Sequence, residues 1–232
     1  MNLTVMPITG IGRVEQGDDV AAVLAGPLRD LDAAKGDVLV VTHKIVSKAE
    51  GAVRQIVGDD EGFKKALVEE ISTSIVRRRG DLIIAETKHG FVCANAGVDR
   101  SNADPGTVVL LPDDPDRSAH RIRIRLHRML DVDMPVIISD TFGRPWRRGL
   151  TDIAIGVSGL RPILDLRGTS DWSGRELDVT EVAVADEIAA AADLVMGKSS
   201  GIPAALIRGY EGPRGDGRGS ELVRPVDEDL FR

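Results

Sequence analysis

The sequence predicts a fold that mixes α-helices with β-strands. Two short apolar runs, Asp37–Thr42 and Pro135–Ile138, have the length and the β-branched composition of buried strands. A third run, Glu181–Met196, is rich in alanine and has the length of a helix. Because both kinds of pattern recur along the chain, we expect helices and strands to share one core.

The N-terminal half begins with a strand at Leu3–Met6 and a turn-rich loop. A helix from Val20 to Leu31 is predicted because its apolar residues recur at helical spacing and Asp19 precedes its first turn. A second helix is predicted over Gly62–Arg79, where three arginines at the end would complement the helix dipole. Two strands joined by a tight turn follow, at Asp81–Thr87 and Phe91–Ala94.

The C-terminal half continues with a strand at Thr107–Leu111 and a basic helix over Ser118–Leu130, whose arginines we interpret as a solvated face. The apolar strand that starts at Pro135 is expected to break at Ser139, where polar residues and a glycine begin. The remaining predicted strands are Ile153–Val157, Pro162–Leu166 and Ala204–Arg208.

Amino-acid composition favours a soluble globular protein and argues against several other classes of protein. The chain has 232 residues, 42% of them hydrophobic and 29% charged, which is typical of a soluble globular protein. A formal net charge of −7 and an aromatic content of 3% argue against a nucleic-acid binder. No run is long and apolar enough to cross a bilayer, and no signal peptide is recognised. Cys93 is the only cysteine, so an internal disulfide is excluded. We expect a cytoplasmic protein that does not associate with membranes.

The stretch after Ile138 carries the strongest chemical signal. Ser139, Asp140 and Thr141 place hard oxygen atoms at a strand end, and such atoms suit Mg²⁺ or Mn²⁺. The arginines that follow offer planar forks of donors for phosphate or carboxylate groups; they are Arg144, Arg147 and Arg148. The sequence therefore indicates chemistry on a phosphorylated substrate, with a solvated arginine turn as the alternative.

Two other segments favour the same kind of ligand. Lys44 and Lys48 follow the buried strand at Thr42 and would share a helix face, where a phosphate could lie between them. A pair of exposed lysines is the alternative. Farther along, a polar loop contains Asp99, which could meet Asp140 across a metal, and Asn102, whose amide could contact a base or ribose.

Two glycine-containing segments resemble known nucleotide motifs but do not complete them. Gly10 and Gly12 lack the third glycine of the dinucleotide fingerprint, since Glu15 holds its place. Gly197-Lys198-Ser199 lacks the earlier glycine of a P-loop, since Ala192 holds its place, and it closes a helix instead of opening one. Both motifs are rejected, although either segment could still approach an anion.

Five motifs, in order along nearly the whole chain, resemble the coenzyme F420:L-glutamate ligase family. They span residues 41–51, 95–102, 138–149, 174–177 and 185–189. The resemblance implies an α+β fold that forms an intertwined homodimer, and a GTP-dependent ligase that joins L-glutamate to the F420 precursor, F420-0, and then adds further γ-linked glutamates. Related actinobacterial enzymes often carry a C-terminal nitroreductase-like domain, and we expect the ligase domain to occupy 1–232 without it.

The resemblance also implies roles for individual residues. The metal ligands would be Asp99, Asp140 and Thr141, binding Mg²⁺ or Mn²⁺, with K⁺ as a further candidate ion. Catalysis would involve Asp140, Arg144 and Arg147. The residues that contact GTP would be Gly10, Ile11, Gly12, Arg13, His43, Lys44, Lys48, Asn102, Gly197 and Lys198. Some relatives are expected to have an acidic or amide residue at the position of Lys198, where it would hold a second metal. The lysine leaves open whether the site binds one metal or two, and whether Lys198 contacts phosphate directly.

Two other functions fit the same residues. A metal-dependent nucleotidyltransferase acting on a phospholactate-type substrate would use the same carboxylates but release pyrophosphate. A non-catalytic dimeric nucleotide-binding module would not depend on Asp99 or Asp140. The products formed from GTP distinguish these alternatives from the ligase.

Overall fold

A computed structural model describes residues 2–229. The domain was predicted to span 1–232, so its residue 1 and residues 230–232 lie outside the described residues. The strands are β1 Thr4–Pro7, β2 Val38–Thr42, β3 Val53–Gln55, β4 Ser72–Arg79, β5 Leu82–Thr87, β6 Val92–Ala94, β7 Thr107–Val109, β8 Val136–Arg144, β9 Arg147–Ser158, β10 Leu164–Asp165, β11 Glu181–Val182 and β12 Ala204–Arg208. The α-helices are α1 Val20–Asp30, α2 His43–Ala49, α3 Asp60–Ile71, α4 Pro115–Leu130 and α5 Val184–Met196. The predicted mixture of helices and strands is confirmed.

The core is built around a five-stranded sheet with the order β1-β12-β2-β8-β9. Strands β2 and β8 are parallel, and every other neighbouring pair in this sheet is antiparallel. Helices α1, α2 and α4 cover one face of the sheet, and α5 covers the other. Both faces of β2 are therefore buried, which explains why its sequence is apolar at successive positions instead of alternating.

Three smaller sheets complete the fold. Strands β4, β5 and β6 form an antiparallel sheet, while β3 pairs with β7 and β10 pairs with β11. A separate apolar cluster lies between α3 and the β5 strand, with Leu67 and Val68 contributed by the helix and Ile83 and Ala85 by the strand. This cluster anchors the smaller sheet beside the central one.

Local signals define the helix ends well. The Asp19 side chain accepts a hydrogen bond from the Ala21 N–H and caps α1, as the sequence predicts. Asp114 caps α4 in the same manner, with proline at the first turn of that helix. Helix α4 buries Ala119, Ile122 and Leu126, and its arginines are exposed except Arg123, which is half-buried and pairs with Asp133. The prediction of a solvated basic face is confirmed for the exposed arginines.

The predicted helix over residues 62–79 is wrong in its second half. Helix α3 ends at Ile71, and Ser72–Arg79 forms β4, which pairs with β5 along its length. The segment after Ile71 contains Thr73, Ile75 and Val76, whose branched side chains favour a strand. The terminal arginines therefore lie on a strand and do not complement a helix dipole.

The predicted break at Ser139 is also wrong. Strand β8 continues to Arg144 and pairs with β9, which begins at Arg147 and not at Ile153. A long antiparallel partner satisfies the backbone, so polar side chains do not end the strand. Strand pairing also changes the start of the predicted helix at residues 181–196. Glu181–Val182 forms a short strand that pairs with Leu164–Asp165, so helix α5 begins only at Val184.

The remaining predicted strands are confirmed with small changes of length, and β3 is a strand that the sequence patterns did not predict.

Between residues 2 and 229, no helix combines the length and the apolar character that a bilayer crossing requires.

The close approach of β9 to α4 gives a test of the packing. A Cβ placed on Gly156 would lie 2.4 Å from the Pro115 carbonyl oxygen. We expect Gly156→Ala to lower the free energy of unfolding by about 1–3 kcal/mol because backbone must shift to admit the methyl group. Gly143→Ala in β8 is the matched control, since its nearest neighbour would lie 4.0 Å away. Urea unfolding of both variants measures the difference, and equal stabilities would contradict the described packing.

Candidate active site

The candidate site forms where the parallel strands β2 and β8 end side by side. Thr42 is paired with Ser139 at this edge of the sheet. Helix α2 begins directly after Thr42, so its first turn lies next to the last residues of β8. Polar residues separated by almost a hundred positions in the sequence therefore become neighbours.

The lysines of α2 hold the polar loop that follows β6. The Lys44 ammonium lies 2.7 Å from Asp99 Oδ2, and the Lys48 Nζ donates to the Asn102 carbonyl at 2.7 Å. The Ser101 N–H and hydroxyl donate to the same Asp99 carboxylate at 2.7 and 2.8 Å. Both lysines thus share one helix face, as predicted, and the loop itself is what they contact.

These contacts set the charge state of Asp99. Burial alone would raise the pKa of this carboxyl group. Hydrogen bonds from Lys44 and Ser101, together with the positive charge of Lys44, outweigh burial and hold the pKa below its ordinary value. Asp99 is therefore a fixed negative charge at neutral pH.

Asp140 lies against His43, the first residue of α2. The His43 Nε2 lies 3.3 Å from Asp140 Oδ1, and the His43 side chain is 0% exposed. The approach does not have hydrogen-bond geometry, so Nε2 is a buried polar atom without a hydrogen-bond partner. The other ring nitrogen, Nδ1, lies 3.2 Å from the Ser47 hydroxyl. His43 was predicted to contact GTP; the whole residue is buried in the described structure, and this contact stays a prediction.

Cys93 lies near Asp140, beneath the candidate site. Burial raises the pKa of the Cys93 thiol to about 12, and the negative charge of Asp140 adds to this effect. The cysteine is buried in the apolar core. A thiol with this pKa is not a nucleophile at neutral pH.

Thr141 faces the other side of the sheet from Asp140. Its hydroxyl donates to Asp152 Oδ1 at 2.6 Å, and the Ser139 hydroxyl donates to Asp152 Oδ2 at 2.9 Å. The Lys198 ammonium also lies 2.9 Å from Asp152 Oδ1. Burial alone would lower the pKa of Lys198, but its contacts with Asp152 and Asp193 raise it above the ordinary value.

The loop from Gly10 to Arg13 approaches the same region from β1. An Arg13 Nη donates to Asp104 at 2.8 Å, which ties this loop to the segment that contains Asn102. Gly10 has a positive φ of 77°, and a Cβ on either Gly10 or Gly12 would meet no atom within 4 Å. The backbone of the loop is therefore open to a ligand.

The arginines predicted to act in catalysis lie farther away. Arg144 and Arg147 are paired at the exposed tip of the β8–β9 hairpin. Arg144 is four residues beyond Asp140, which is about 13 Å along a strand at ~3.3 Å per residue. Within one chain the described structure does not bring these arginines to the carboxylates, and their catalytic role stays a prediction.

The carboxylates fit a hard divalent cation only in part. No group of three or more histidine, cysteine, aspartate or glutamate side chains gathers around one position in residues 2–229. Asp99 and Asp140 nevertheless offer hard oxygens beside the first two residues of α2. Mg²⁺ is often held by one or two carboxylates, with phosphate oxygens and water completing its shell. The donor set is compatible with this mode of binding.

A cavity lies away from these strand ends. It has a volume of 950 Å³ and is lined by residues from the start of α1, the end of α2, the β5–β6 turn and α4. None of the predicted site residues lines it. The residues at the strand ends therefore form a site separate from this cavity.

Asp152 is the site residue that sequence reasoning missed. The strand was predicted to begin at Ile153, which left this carboxylate outside any element. Its position was informative, because Asp152 and Ala154 alternate on β9 and share its buried face. A carboxylate at such a position requires several hydrogen-bond donors.

Taken together, carboxylates, hydroxyls and lysines lie close to the ends of the parallel strands β2 and β8, which is the edge of an α/β sheet where ligands commonly bind. Comparison with known proteins identifies the family. The sequence profile of the family described as F420-0:Gamma-glutamyl ligase matches residues 10–209. The chain belongs to this family.

Three relatives cover the chain almost completely, and each carries the name coenzyme F420:L-glutamate ligase. The protein of Methanothermobacter thermautotrophicus is 43% identical over 251 residues, covering 100% of both chains. The protein of Methanopyrus kandleri is 42% identical over 253 residues, covering 99% of this chain and 98% of its own. The protein of Archaeoglobus fulgidus is 38% identical over 248 residues, covering 100% of this chain and 97% of its own.

The contact between Lys44 and Asp99 predicts a shift in titration. We expect Lys44→Met to raise the pKa of Asp99, because burial then acts without the compensating charge. In the wild type the folded-state pKa lies below the unfolded value of about 3.9, so ionised Asp99 stabilises the fold above that pH. This stabilisation is lost as the pH falls through the folded-state pKa.

Carboxyl ¹³C NMR titration measures the pKa of Asp99 directly. Lys48→Met is the matched control, because Lys48 contacts a backbone carbonyl and no carboxylate. An unchanged Asp99 pKa in Lys44→Met would contradict the described pair.

Proposed function

We propose that the protein is a GTP-dependent ligase that joins L-glutamate to F420-0 in the biosynthesis of coenzyme F420. The observation that supports this most strongly is the placement of Asp99 and Asp140 against the first turn of α2, beside Lys44. The relatives' shared name, over nearly the whole length of both chains, supports the acceptor and the amino acid.

The chemistry requires activation of a carboxylate. A carboxylate oxygen of F420-0 attacks the γ-phosphorus of GTP, the bond to the β-phosphate oxygen breaks, and GDP leaves with that electron pair. The glutamate amine then attacks the acyl carbon, phosphate leaves, and the amine loses a proton to solvent or a base. Such reactions depend mainly on positioning and electrostatic stabilisation.

A divalent metal, Mg²⁺ or Mn²⁺, would neutralise charge on the transferring phosphate. Asp99 and Asp140 would hold it, with Thr141 as the further predicted ligand and K⁺ as a further candidate ion. The low pKa of Asp99 favours this role, because the carboxylate needs no deprotonation before it binds a cation.

The chain's own residues supply the remaining functions. Lys44 and Lys48 keep the loop at Asp99 in place before any ligand arrives, so less ordering is needed on binding. The Gly10–Arg13 loop offers open backbone N–H groups to the nucleotide. Lys198 would add a positive charge near the phosphates.

We also infer two properties from the family. Further glutamates are added through γ-linkages, and the chain acts as a homodimer, in which Arg144 and Arg147 at the exposed hairpin tip would reach the site of the second copy. The mass of the protein in solution and the mass of its product test these two properties separately.

The central experiment is incubation with GTP, Mg²⁺ or Mn²⁺, L-glutamate and F420-0, followed by mass spectrometry. We expect a mass gain of one or more glutamyl units, with GDP and phosphate formed only when all substrates are present. Release of pyrophosphate would instead establish nucleotidyl transfer. GTP binding without any product would leave a nucleotide-binding module.

Asp140→Asn tests the metal-binding carboxylate. We expect turnover to fall by at least about 10²-fold while the thermal midpoint changes little, because the substitution removes charge and keeps shape. Asp165→Asn is the control, since that carboxylate pairs with Arg167 on the surface of the β10 strand. Normal turnover in Asp140→Asn would exclude Asp140 as a ligand.

A further inference from the structure

The Lys198 side chain ends in a cluster of oxygen atoms on the α5 face of the sheet. Its Nζ lies 2.9 Å from Asp152 Oδ1 and 2.9 Å from Asp193 Oδ1, and it also donates to the Thr141 hydroxyl oxygen. Three contacts match the three N–H donors of an ammonium group. An incoming anion can bind Lys198 directly only by replacing one of these partners.

The two carboxylates are equally close to Lys198 but differ in every other respect. The Asp152 side chain is 4% exposed, lies on a central strand and also accepts from Ser139 and Thr141. The Asp193 side chain is 24% exposed and lies on α5 near its C-terminal end. In the described part of the chain, Lys198 is the only side-chain partner recorded for Asp193.

This difference decides which partner can leave. Removing Lys198 from Asp152 would leave a buried carboxylate short of a donor, which is costly in a low-dielectric interior. Removing Lys198 from Asp193 leaves a carboxylate that water can reach, and exposed ion pairs are weak. Asp193 is therefore the exchangeable partner, and Asp152 is the permanent one.

We propose that Asp152 is a positioning residue that fixes the Lys198 ammonium and the Thr141 hydroxyl, and that Asp193 occupies the place on Lys198 that a nucleotide phosphate oxygen takes. This inference rests on the proposed binding of GTP. Asp193 then competes with the phosphate, so the site exchanges one anion for another and the ammonium keeps a partner throughout.

The same substitution, aspartate to asparagine, at the two positions tests which carboxylate positions Lys198 and which one the phosphate displaces. We measure GTP binding to the full chain with Mg²⁺ by calorimetry for Asp152→Asn and Asp193→Asn. Asp152→Asn is expected to weaken GTP binding about tenfold, because Lys198 is no longer held toward the phosphate. Asp193→Asn is expected to tighten GTP binding several-fold, because the competing carboxylate is lost. Equal losses in both variants would overturn the proposal.

A double-mutant cycle separates a positioning role from a general effect on the fold. If Asp152 acts through Lys198, adding Asp152→Asn to Lys198→Met should change GTP affinity less than twofold. Fully additive losses would mean that Asp152 acts independently and would contradict the proposal. If Asp152→Asn does not fold, Asp193→Asn decides alone, since unchanged or weaker GTP binding in that variant is incompatible with displacement.

Calorimetry measures GTP binding without requiring turnover, so the outcome of this test does not depend on the proposed ligase reaction. Opposite shifts in the two variants, with no glutamyl product formed by the wild type, would support the positioning role and reject the ligase. If the wild-type chain binds no GTP, the inference is wrong. If the wild type forms the glutamyl product but both variants change GTP affinity equally, the proposed function stands and the inference does not.

Discussion

The parallel pairing of β2 with β8 is the constraint on which the rest of the structure depends. Both strands are buried on both faces, so helices must cover each side of the sheet. Parallel strands also end at the same edge, which places the start of α2 beside Asp140. Without this pairing, the candidate site would be two unrelated polar segments.

The site is organised around contacts between opposite charges. Lys44 contacts Asp99, and Lys198 contacts both Asp152 and Asp193. Each contact holds a long side chain in one position. Ligands therefore meet a preorganised arrangement in which the loop at Asn102 is already fastened to α2.

The sequence predicts best what depends on near neighbours. The β2 strand, the α1 helix and its Asp19 cap follow from composition and short-range spacing, and the structure confirms them. The extension of β8 past Ser139 and the strand at Ser72–Arg79 depend on partners elsewhere in the chain, which spacing does not reveal. Asp152 was missed for this reason, because its three donors come from two distant segments. The motifs predicted Asp99, Asp140 and the α2 lysines, which the structure places close to one edge of the sheet, but they did not predict that the lysines hold the loop.

The position of β12 has a consequence for how the molecule forms. This strand lies between β1 and β2, and β1 pairs in the sheet with β12 alone. Strand β1 therefore has no partner in this sheet until β12 has been synthesised, so the sheet cannot close before residue 208 is available. Contacts this distant in sequence favour slow folding. The early apolar strands are exposed during that interval, so we expect yield in the cell to depend on folding assistance more than on final stability.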